Sequence, residues 1–193
     1  MLDNELRKLP KKYKVKFSES LNNSQLYENR LLEAFPIKRD ANCAYFQPDT
    51  FTGDDEKSYW EFRNIFDGKN WNEVDLTVLY SKHYPFTTFS LEGFLYYLPI
   101  CLKFFYDIRH FMILPSVLLE SFEYGITTGP TVSWDDRAVS DLSFFDRLTP
   151  AQSKLVALFV ADLAILLPEQ YSERARRALS NYWGKFLLSC DAS

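Results

Sequence analysis

The feature that most narrows the folds open to this chain is the apolar stretch at residues 94 to 119, FLYYLPICLKFFYDIRHFMILPSVLL. A run of that length must lie in a bilayer or in a protein core. Its charges decide. Lys103, Asp107, Arg109 and His110 fall inside it, and a charge at bilayer depth costs at least ~2.5 kcal/mol on insertion scales. A second run, LVALFVADLAILL at 155 to 167, contains Asp162 and is shorter than the ~20 residues a span requires. Both predict buried core helices and no stable membrane insertion. With 193 residues, 47% hydrophobic and 25% charged, the chain has material for one core and is short for two. Its 17 Phe and 12 Tyr make large flat rings the main filling of that core.

Within the first run, Leu91, Phe94, Leu95, Leu98, Cys101, Leu102 and Phe105 recur at i, i+3, i+4 and i+7, which predicts a helix over residues 90 to 105. Ser90 supplies its N-cap, and Glu92 lies in the first turn, where the helix dipole favours an anion. Pro99 opposes this pattern. An interior proline removes a backbone hydrogen bond and clashes with the preceding turn at a cost of ~3 kcal/mol, so the helix kinks there or a new one starts.

Thr149, Pro150, Ala151 and Gln152 form a capping box with proline at the first helical position, predicting a helix over 150 to 167. Leu155, Phe159, Leu163 and Leu166 line one of its faces. Pro168 opens a last helix over about residues 169 to 188. Tyr171, Ala175, Ala178, Leu179, Tyr182 and Phe186 face inward there, with Arg174, Arg177 and Lys185 outward. Shorter helical patterns cover 18 to 35, ended by Pro36, then 59 to 66, 71 to 82, and 115 to 124, stopped at Gly125. Residues 36 to 57 read as a long connection rich in Pro, Asp, Asn and Gly. The expected fold class is mainly α, with residues 18 to 193 as a single compact multi-helix domain.

Two segments could break the helical pattern. The first 16 residues carry +4, which leaves −8 for residues 17 to 193. Within residues 1 to 17, Lys12, Lys14 and Lys16 alternate with Tyr13, Val15 and Phe17, a period of two that suits a short edge strand or a loose basic arm. Residues 125 to 136, GITTGPTVSWDD, have turn composition mixed with β-branched residues and fit a hairpin or an irregular loop.

No sequence pattern announces chemistry. Cys43, Cys101 and Cys190 are unrelated in spacing, form no CxxC pair and have no neighbouring histidine, which fits a reduced, cytoplasmic setting and no zinc site. The N-terminus lacks a secretory pattern. His83 and His110 read as surface or packed structural side chains. Six glycines are few for a phosphate cradle, and no GxGxxG, Walker, GxSxG or HExxH motif occurs. No cofactor is expected.

Two acidic clusters stand out: Asp54, Asp55 and Glu56, and Trp134 with Asp135, Asp136 and Asp141. Oxygen ligands of this kind suit Ca²⁺ or Mg²⁺, but the spacing matches no EF-hand loop. Solvated loop charge accounts for them simply. A third reading makes them a protein-binding surface, with carboxylates around an aromatic anchor meeting a basic partner. The acidic body argues against nucleic acid as that partner, because it would repel phosphates.

The run Phe89 to Pro99, FSLEGFLYYLP, resembles the centre of a functionally uncharacterised family of small bacterial helical domains. LLEAFP at 31 to 36 is similar to that family's first helix, FDRLTPAQSKLVALFV at 145 to 160 to its later Leu-Thr-Pro-x-Gln helix, and Trp183 to the tryptophan of its closing helix. The resemblance covers about residues 26 to 185. Leu95 stands where such domains often carry Arg. Domains of this kind resemble those encoded beside bacterial toxins, which implies an immunity protein that neutralises a basic toxin domain through an acidic surface. An enzyme with an unannounced carboxylate or metal site, and a peripheral membrane protein using the basic arm, are the alternative expectations.

Overall fold

The structure, a computed structural model, describes residues 24–37, 54–75, 89–106, 115–125, 142–166 and 169–188. Among these residues the chain is 85% helical, with seven α-helices and no strand. They are α1 (Ser24–Ala34), α2 (Asp54–Phe66), α3 (Leu91–Tyr106), α4 (Pro115–Tyr124), α5 (Pro150–Leu166), α6 (Glu169–Ala178) and α7 (Gly184–Leu188). Short 3₁₀ turns at Trp71–Glu73 and Leu142–Arg147 and a π-helical turn at Leu179–Trp183 complete the pattern. One continuous apolar cluster, from Leu31 in α1 to Leu187 in α7, unites them as a compact multi-helix domain. The basic arm at 1 to 17 and residues 126 to 136, where a strand or hairpin was expected, lie outside the described residues.

Helix ends fall where the sequence places its stop and start signals. Thr149 and Gln152 close the capping box reciprocally: the Gln152 amide donates to Thr149 Oγ1 at 3.3 Å, and the Thr149 amide to Gln152 Oε1 at 2.9 Å. Ser90 Oγ accepts from the Gly93 amide at 3.1 Å and caps α3. Gly125 ends α4 with φ 91°, a conformation that costs glycine little and other residues more. Pro99 sits inside α3, which continues past it as one helix. Leu98, Ile100, Cys101 and Leu102 around it are buried, and burial of such side chains at ~1.5 to 3 kcal/mol each outweighs the lost bond.

Two expected boundaries need correction, and two helices that form as expected show further detail. α5 buries Val156, Ala157, Val160, Ala161 and Ala164 as well as Leu155, Phe159 and Leu163, so it is enclosed on several sides and not along one face. It packs against α1, α6, α7 and the π turn, and a helix so placed must be apolar nearly all round. The connection expected over 36 to 57 ends earlier, because α2 begins at Asp54; Asp54, Asp55 and Glu56 fill a first turn where acidic residues are favoured by the dipole. Where a helix was expected over 71 to 82, Trp71–Glu73 form a 3₁₀ turn and Val74 leaves helical geometry, φ −76° and ψ 128°; residues 76 to 82 lie outside the described residues. Asn70 and Glu73 make a reciprocal cap around this turn, which favours stopping the chain there over extending it. The final helix also departs from a straight rod. Its π turn brings both Tyr182 and Trp183 into the core.

Candidate functional site

α2 combines acidic residues with an exposed tryptophan. Tyr59 and Phe66 face the core, while Lys57, Trp60, Glu61 and Asn64 form an exposed stripe at the i, i+3, i+4, i+7 spacing of one helix face. Trp60 is 39% exposed. The Arg63 guanidinium lies over its ring at 5.0 Å, and Tyr59 meets it edge-on at 5.5 Å. The helix carries four carboxylates, Asp54, Asp55, Glu56 and Glu61, against Lys57 and Arg63. An indole in this setting can accept a cation on its π face.

The end of α2 is fastened from beneath. Gly68 adopts φ 69° just beyond the helix. The Tyr97 hydroxyl reaches both the Phe66 carbonyl at 2.9 Å and the Lys69 carbonyl at 3.0 Å. Tyr96 donates to Asn70 Oδ1 at 3.0 Å, and Asn70 in turn donates to Glu73 Oε2 through its amide at 2.8 Å and its side chain at 3.0 Å. Phe66, Phe89 and Tyr97 pack as a ring cluster at centroid distances of 4.8 to 5.1 Å. The paired tyrosines of the FSLEGFLYYLP run thus fix the turn that follows α2. Their role is structural.

A second polar cluster joins α4 to α6. Glu123 is 2% exposed and accepts from Arg177 Nε at 2.5 Å, with Arg174 Nε at 4.0 Å and the Arg177–Glu173 pair at its margin. The hydrogen bond between Tyr124 and Glu123 pushes the Tyr124 phenol above its ordinary value, with burial adding to the effect. Arg174 also pairs with Glu120 at 3.6 Å. These charges satisfy one another and lock two helices together. On α3, Glu92 meets Arg147 at 3.0 Å, and that hydrogen bond holds the Glu92 carboxyl below its ordinary range.

The chemical inventory is otherwise quiet. Cys101 is fully buried, and burial pushes its thiol well above the ordinary range, which makes it an inert core group. Asp162 lies 4% exposed within α5. Both histidines lie outside the described residues. Among the described residues, no group of three or more His, Cys, Asp or Glu is placed to hold a metal ion, and no helix is long and apolar enough to cross a membrane.

Of the residues singled out from sequence, Asp54, Asp55 and Glu56 fall on the first turn of α2. Trp134, Asp135, Asp136 and Asp141 lie outside the described residues. Sequence reasoning missed Trp60, the exposed aromatic on the helix that opens with the first acidic cluster. The available signal was that Trp60 falls off the apolar face defined by Tyr59 and Phe66.

No curated protein and no solved structure matches the chain. A family model, described as a family of unknown function (DUF6714), matches residues 45–187. That span takes in the FSLEGFLYYLP run, the capping box of α5, and Trp183. The chain belongs to the family of unknown function DUF6714.

Proposed function

We propose that this chain is a non-enzymatic protein-binding module, an immunity protein that neutralises a basic bacterial toxin domain in the cytoplasm by covering its active site. The observation that carries the reading is Trp60, held exposed on an acidic helix under the guanidinium of Arg63. Tryptophan is enriched among the few residues that dominate binding energy at interfaces. Carboxylates around such an anchor steer a basic partner and fix its register. The acidic balance of residues 17 to 193 favours a basic protein over nucleic acid.

The test is an affinity pull-down from the native host with the tagged full chain and its Trp60→Ala variant, eluted stepwise with salt and read by mass spectrometry. One stoichiometric basic partner retained by the native chain and lost by the variant supports the reading. Recovery of no partner, together with survival of cells lacking the protein when the neighbouring toxin is expressed, overturns it.

A further inference from the structure

We draw no further inference here: the strongest candidate, the outer face of α2 around Trp60 and Arg63, belongs to the site already described, and nothing in the structure shows what covers it.

Discussion

The indole Nε1 of Trp183 donates to the main-chain carbonyl of Phe122 at 3.1 Å. This bond joins the π turn to the last turn of α4, whose final carbonyls have no partner within the helix. The same device recurs twice. Trp71 Nε1 donates to the Phe35 carbonyl just past α1 at 3.1 Å, and Tyr97 donates to the Phe66 carbonyl at the end of α2. Three helix C-termini therefore receive a hydrogen bond from the polar tip of a buried aromatic, which fills the core and serves a main-chain acceptor with one side chain; the Phe66 carbonyl also accepts from the Lys69 amide at 3.0 Å.

Replacing Trp183 by Phe tests this. The substitution keeps an aromatic ring against Phe145 and Phe122 but leaves the Phe122 carbonyl buried without its donor. We expect a loss of ~2 to 4 kcal/mol, from the unmet acceptor at ~1 to 3 kcal/mol and the smaller ring. Denaturant unfolding followed by circular dichroism measures it. A loss under ~0.5 kcal/mol would show that the bond contributes little.

The two motif tyrosines separate by depth. Tyr97→Phe removes a buried hydroxyl that serves two carbonyls, whereas Tyr96 is only partly buried and bonds a side chain. Tyr97→Phe should cost ~1 to 3 kcal/mol and Tyr96→Phe about 1 kcal/mol or less. Equal effects in the same melts would contradict the assignment of Tyr97 as the main fastening of α2.

The ion pairs rank by burial. Arg177 serves the buried carboxylate of Glu123, while Arg176 serves Glu169, whose side chain is 77% exposed. Arg177→Met should lower stability by ~1 to 2 kcal/mol, discounted because the guanidinium itself is half in water, and Arg176→Met by less than ~0.5 kcal/mol. Thermal melts at low and high salt distinguish them. Only the Arg176 variant should converge with the native chain as salt is added.

Tyr182 gives the alkaline behaviour. Burial, and then the 2.6 Å hydrogen bond to Asp146, push its phenol well above the ordinary value of 10.0. The folded chain keeps this proton after the unfolded chain has released it, so the contribution is complete below pH 10.0 and is lost as pH rises beyond it. Denaturant melts from about pH 8 to about pH 11 should show falling stability above 10, with a shallower fall in Tyr182→Phe. Identical slopes for the two proteins would refute the link.

Trp60→Ala should behave unlike any of these. Its ring is well exposed, so stability should change by less than ~1 kcal/mol, while retention of a protein partner should drop at least tenfold if the indole is an anchor. A large fall in melting temperature would instead make Trp60 a packing residue.

Local sequence chemistry alone determined the helical class and many of its boundaries. Thr149 and Gln152, Ser90, Pro36 and Gly125 act within one turn of their own position, and so they work the same way in any surrounding fold. Tertiary structure decided what such signals cannot encode. The burial of α5 on several sides follows from where α1, α6 and α7 pack, since periodicity reports apolar faces but not how many neighbours each face meets. The single turn at Trp71–Glu73 depends on Tyr96 and Tyr97, which approach from 26 and 28 residues away in sequence. Trp60 likewise stands exposed because Tyr59 and Phe66 of the same helix are buried against the core that the other helices build. Adjacency in space, which turns an acidic run and an aromatic into a surface, exists only once the chain has folded.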